Sequence, residues 1–278
     1  MTLHPHALTG FTFSLEVFKF YSGLMQMEDA DQDESQLPSQ ESNLEPYLGG
    51  KLLWAGELDS LGRAMVVAGN IAGAATLTAT ADVDAQKQAV SDGIVDFLVM
   101  SLDEALRILK NEIRKRQTVA VCVGAALEAV ESEMVERGVQ PDLFREGVIA
   151  AAGRGKSTRK TLGHPRLDPM NMEALVTWRV DAAPAVWLPK LDAIALECIE
   201  ADDEIARRWL RQAGRSMGRL GHGVHLLISN RAFAARMIER VKDQVQCGKL
   251  KVRGQIQVSF MGGDDEFDFG SESSSEAN

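Results

Sequence analysis

Three things are scarce in this chain of 278 residues: cysteine, positive charge and unbroken apolar runs. Cys122, Cys198 and Cys247 are odd in number and far apart, which excludes a dense disulfide framework and fits a reducing compartment, with the cytoplasm as the expected location. Lys and Arg total 30 against 40 Asp and Glu, for a net charge of -10. Phosphate contacts need clustered basic side chains, so no nucleic-acid partner is expected. Part of the acidity sits at the ends, Glu28 to Glu45 and Asp264 to Glu276, and the body between is closer to neutral. The apolar run from Phe11 to Met25 is broken by Glu16 and Lys19 and has no basic segment ahead of it. It predicts neither a membrane span nor a signal peptide, and no membrane partner.

What is present suffices for a substantial core: 45% of the residues are hydrophobic, and the length suits one large domain or two smaller ones. Residues 1–45 read as an apolar N-terminal segment, helix or strand, followed by an acidic, Ser- and Gln-rich linker too polar to order itself. From residue 46 to about 170 strands and helices alternate. Lys51 to Gly56 (KLLWAG) is a buried strand, Glu57 to Gly62 a turn and Arg63 to Gly73 a helix. Ala74 to Ala81 and Ile94 to Val99 are further strands, with a short helix from Asp84 to Ser91 between them. Ser101 and Glu104 form a capping-box pattern ahead of a helix, and Thr118 to Val123 (TVAVCV) is a central strand. This order predicts an α/β fold, a mostly parallel Rossmann-like sheet with helices on both faces. Residues 171–261 predict a helical region, with one helix from Leu188 to Ala213 and another from Arg231 to Val245, ending in a short β element at Lys249 to Met261, and residues 262–278 a disordered acidic tail.

Gly50 to Gly56, Ile71 to Ala74, Ser101 to Leu106 (SLDEAL), Gly124 to Glu128 (GAALE) and Arg137 to Asp142 (RGVQPD) keep one order over about a third of the chain. In these pieces the chain resembles the NAD-binding, Rossmann-like domain of urocanase, urocanate hydratase. The family's G-M-G-G-A-Q falls on Ser60 to Met65, where Gly62 and Ala64 match, and its G-N-A-A-E on Gly124 to Glu128, where Gly124, Ala126 and Glu128 match; of these, the resemblance implies Gly62, Ala64, Gly124 and Ala126 as cofactor-binding positions, with Asp82 between the two pairs. The resemblance implies NAD as cofactor and, at its farthest, a hydro-lyase reaction of histidine degradation. The family's Y-Q-G-L-P-A-R-I-C-W segment with its catalytic Cys has no counterpart. The resemblance therefore implies no catalytic residues here, and an enzyme only if a partner chain supplies the catalytic core.

Each candidate residue has two readings. Gly62 is a phosphate-turn glycine or simply the start of a helix, and Arg63 approaches a phosphate or blocks it. Asp82 stands about twenty residues beyond Gly62, where a ribose-binding carboxylate would sit; equally, an Asp after a strand caps a helix. Gly153 to Thr158 (GRGKST) fails the P-loop spacing and reads as part of one exposed basic loop from Gly153 to Asp168. His222 and His225, three apart, share one face if they lie on a helix, as zinc ligands do, but Gly223 stands between them and no Cys or carboxylate with ligand spacing is nearby, so they read as structural or exposed and no metal is expected. Cys122 and Cys198 read as inert small hydrophobes, and Trp178, Trp187 and Trp209 as anchors of helices on a sheet. The rival to a dinucleotide-binding domain is a scaffold or regulatory protein that binds a protein partner or a second copy of itself.

Overall fold

The computed structural model describes residues 5–29, 47–145, 160–162, 174–180, 183–221, 223–247, 256–260 and 266–269. Contacts divide the chain into two units, Glu16–Arg166 and Met1–Leu15 with Leu167–Asn278. The N-terminal apolar run is a helix, α1 (Pro5–Asp29), in which Val17, Phe20, Tyr21, Leu24 and Met25 are fully buried.

The first unit is built on β1 (Leu52–Glu57), β2 (Ala75–Ala79), β3 (Phe97–Val99), β4 (Val119–Val123), β5 (Leu143–Arg145) and β6 (Lys160–Leu162), in the spatial order β3-β4-β2-β1-β5-β6. Every pairing in this sheet is parallel. Helices α2 (Ser60–Ala72), α3 (Val83–Ser91), α4 (Leu102–Arg114) and α5 (Leu127–Glu136) lie between the strands in sequence. Side chains alternate across a strand, and the buried strands use both faces. Leu52, Trp54, Leu77, Val121 and Val123 share a core with Leu102, Leu109, Val130 and Met134 of α4 and α5. On the other face, a Cβ on Gly69 of α2 would come within 2.7 Å of Leu53 and 2.6 Å of Thr76. Helices on both faces, as the alternating pattern predicts, make this an α/β Rossmann-like fold.

The motif pieces hold one another in place. Asp142 accepts a hydrogen bond from Leu52 N–H at 2.7 Å and donates its own N–H to the Leu52 carbonyl at 2.9 Å, fastening β5 beside β1. Arg137 forms an ion pair with Asp103, joining the end of α5 to the start of α4. Ser101 caps α4 by accepting from Glu104 N–H at 3.3 Å.

Several boundaries differ from the sequence reading. The third strand is only Phe97–Val99 and forms the sheet edge; buried Ile94 and Val95 belong to the approach to it. Within the stretch read as one basic loop, Lys160–Leu162 forms the opposite edge strand, while Gly153 to Thr158 lies outside the described residues.

The second unit holds more β structure than its helical periodicities suggest. Strands β7 (Leu175–Val180), β8 (Val224–Ile228), β9 (Ile256–Phe260) and β10 (Glu266–Phe269) form an antiparallel sheet in the order β10-β9-β7-β8. The short β element thus supplies one strand, β9, of a four-stranded sheet, and β10 falls in the acidic tail. The single long helix read from Leu188 to Ala213 is two, α6 (Pro184–Cys198) and α7 (Glu204–Met217), because Asp203 caps a new start by accepting Ala206 N–H at 2.9 Å. A third helix, α8 (Arg231–Gln246), buries Phe233, Met237, Ile238 and Val241. Trp209 donates to the Leu226 carbonyl at 2.7 Å, and Trp178 to Asp192 at 2.8 Å, so two of the tryptophans do tie helices to this sheet. Among the described residues no helix is long and apolar enough to cross a membrane.

Candidate functional site

In an open parallel sheet, ligands bind at the carboxyl ends of the strands, where successive connections leave a strand in opposite directions. Here that place lies between β1 and β5: the chain leaves β1 toward β2 and returns on its other side as β5. Gly62 follows β1, Asp82 follows β2, and Gly124 and Ala126 follow β4, so the topology brings these four predicted residues to the same edge of the sheet. Ala64 lies buried inside α2.

Between β1 and α2 only Leu58 and Asp59 remain, since the strand runs through Glu57 and the helix begins at Ser60. Gly62 therefore belongs to the first turn of the helix rather than to a loop. A Cβ on it would lie 1.9 Å from the Glu57 carbonyl oxygen, so the glycine is required by the closeness of helix and strand in this chain's own turn. Asp59 is the N-cap, accepting Gly62 N–H at 2.6 Å, and Arg145 at the end of β5 donates to the same carboxylate at 3.0 Å. Arg63 reaches away to Asp92, 2.5 Å distant, in a largely buried pair. Both basic side chains near the turn are thus committed to carboxylates.

The neighbouring turns are similarly occupied. Asp82 is exposed and caps α3, accepting from Asp84 and Ala85 N–H at 2.9 and 3.2 Å through one oxygen. Gln86 is buried and donates to the Thr80 carbonyl at 2.8 Å. Gly124 donates its N–H to the Val99 carbonyl at 2.8 Å, and a Cβ there would meet the Met100 sulfur at 3.1 Å. Cys122, inside β4, is pushed up to about 12 by burial and then by the charge of Glu57, so it stays a thiol and is no nucleophile at neutral pH.

Residues 36–150 match the model of the urocanase Rossmann-like domain. This segment belongs to that domain family. Dinucleotide domains seat a pyrophosphate on the N-terminus of the first helix, where free N–H groups and the helix dipole favour an anion. In this urocanase-like domain the position holds the Asp59 carboxylate, with Glu57 two residues before it. A second anion there meets like charge, with Gly62 N–H and both arginine side chains already in use. The residues at the first turn do not fit a pyrophosphate, while the exposed carboxylate of Asp82 keeps one oxygen open to a hydroxyl.

The second unit contains a polar arrangement that sequence reading missed. His225 of β8 and Asp192 of α6 are 9% and 8% exposed, and His225 Nδ1 lies 2.8 and 3.0 Å from the two Asp192 carboxylate oxygens. Trp178 donates to Asp192 as well. His225 lies in a strand, so the shared helix face considered for the two histidines does not form; His222 lies outside the described residues. The signal in the sequence was too thin, one Asp in an apolar helix and one His in an apolar strand. Among the described residues no cluster suited to a metal ion occurs.

Proposed function

We propose that the urocanase-like domain of this chain is a scaffold that keeps the fold and does not seat NAD at its first turn. Asp59 carries the reading: its carboxylate occupies the helix N-terminus and is gripped by Arg145. By this reading the chain alone is no urocanate hydratase, and lyase chemistry requires another chain to bring acid, base and substrate pocket. The partner side of the reading rests on the β3 edge, where Phe97, Leu98 and Met100 are 47, 38 and 72% exposed. A free strand edge bearing apolar side chains is a template for a second strand, and a two-fold antiparallel pairing with a second copy of β3 satisfies both edges.

Calorimetric titration of the full chain with NAD to millimolar concentration tests the cofactor half. No heat and no thermal shift are expected. Saturable binding by the native chain overturns the reading, and loss of that binding on reversing Arg145 would locate the dinucleotide at the β1–β5 crevice. Sedimentation of the native chain and of Leu98→Lys tests the partner half: a concentration-dependent dimer that the substitution dissolves is expected, and a native chain that stays monomeric rejects it.

A further inference from the structure

Inside the second unit, α6, α7 and the start of β8 line a partly open cavity of about 1010 Å³. Its walls include Leu188, Leu196 and Leu210, while Asp192 and His225 also line it and are buried. Arg211, Arg215 and Arg219 line it too and are exposed. Spaced four apart, two on α7 and one on the 3-10 turn that follows it, they fall on one side of the helix. None of the three has an ion pair or hydrogen bond among the described residues. The cavity thus has apolar walls, free positive charge where it meets solvent and a polar pair in its depth.

The pair has a definite polarity. Asp192 already accepts the Trp178 N–H, and a carboxylate offers acceptors alone, so the His225 Nδ1–H donates to it. In the neutral ring this leaves Nε2 as an acceptor, as in the base and orienting-acid half of a hydrolase triad. Nε2 has no hydrogen-bond partner among the described residues. Its ring edge is turned toward Gly214, another cavity residue, where a Cβ would lie 2.9 Å from Cε1 and 3.5 Å from Nε2. A glycine inside a helix costs roughly 1 kcal/mol against alanine; here it lets α7 approach the imidazole edge closely. Fastening α6 to the sheet explains Asp192 and Trp178 but requires neither the open Nε2 nor the unpaired arginines.

We infer that this cavity is a binding site for a small organic anion with an apolar body, its carboxylate or phosphate held by Arg211, Arg215 and Arg219 and a distal hydroxyl or N–H donated to His225 Nε2. A cavity of this size suits a ligand of drug-like dimensions. The inference is independent of the scaffold reading, which concerns the other unit.

Fluorescence titration of the full chain with 1-anilinonaphthalene-8-sulfonate, an aromatic anion, reads the site directly. One saturable site is expected, and Ala193→Trp, an exposed residue of the cavity wall, should remove it with the unfolding midpoint unchanged. The double change Arg211→Glu with Arg215→Glu should weaken the sulfonate by about tenfold, yet leave the uncharged N-phenyl-1-naphthylamine within about twofold. Displacement by 10-hydroxydecanoate should exceed that by decanoate about fivefold, the scale of one hydrogen bond, and His225→Phe should erase the difference. Absence of saturable binding, survival of binding in Ala193→Trp, or equal weakening of both dyes by the charge reversal overturns the proposal. If His225→Phe does not fold, the native chain still decides the distal contact: equal displacement by the two acids rejects it.

Discussion

The first turn of the urocanase-like domain and the cavity of the second unit are both places where polar groups gather beside helices and strands, but they differ in what is left over. At the first turn Gly62 N–H is taken by Asp59, Arg145 by the same carboxylate, and Arg63 by Asp92. In the cavity His225 Nε2 and three arginines have no partner among the described residues. A polar group satisfied within the chain adds to stability, whereas one held nearly buried without a partner is a cost that a ligand removes. The family resemblance therefore points to one region, and the open chemistry lies in the other.

The sharpest way to break this contrast is Gly62→Ala. A Cβ there would sit 1.9 Å from the backbone oxygen of Glu57, and backbone cannot step aside as a side chain can, so a loss of roughly 3 kcal/mol or more is expected. Urea unfolding measures it; a variant as stable as the native chain would mean that the turn has room and that its glycine served a ligand. Next comes Asp192→Ala, which strands the N–H groups of Trp178 and His225 in a buried site. At roughly 1–3 kcal/mol for each unsatisfied donor, a loss of about 3 kcal/mol is expected by the same measurement, and a negligible change would show that water already enters freely.

Asp59→Ala should cost about 1 kcal/mol, the usual worth of an N-cap. Because it also frees Arg145 and Gly62 N–H, the same variant should bind inorganic pyrophosphate more tightly than the native chain does. Equal weak binding by both would remove Asp59 as the reason for the closed turn. The smallest effect is chemical. Cys122 is raised to about 12 and buried, and burial raises Cys198 as well, whereas Cys247 is exposed. A raised value keeps the reactive thiolate absent at neutral pH and through mildly alkaline pH. Ellman's reagent at pH 8 should therefore count one fast thiol, and Cys247→Ser should leave none.

The alternation of strand and helix from Leu52 to Arg145 was legible because a buried parallel strand and an amphipathic helix carry different periods, and because caps such as Ser101 act over three or four residues. The second unit was less legible. Leu175 to Val180 and Val224 to Ile228 are short apolar runs whose partners lie far along the chain, and the pairing of Trp178 with His225 spans a whole helical segment. Within the candidate sites, Asp82 could be weighed as a cap from its position after a strand, and the structure places it as one. Asp59 could not, because the turn was read four residues too long.

By itself the sequence determined the urocanase-like order of elements, the helix caps and the absence of a disulfide framework. All of these follow from local period, local hydrogen bonding or composition. Only the tertiary structure decided what Gly62 is for, that Asp59 meets Arg145 across 86 positions, and that Asp192 meets His225 across 33. Such contacts depend on which strand lies beside which and how closely a helix approaches the sheet. No window of neighbouring residues contains that information.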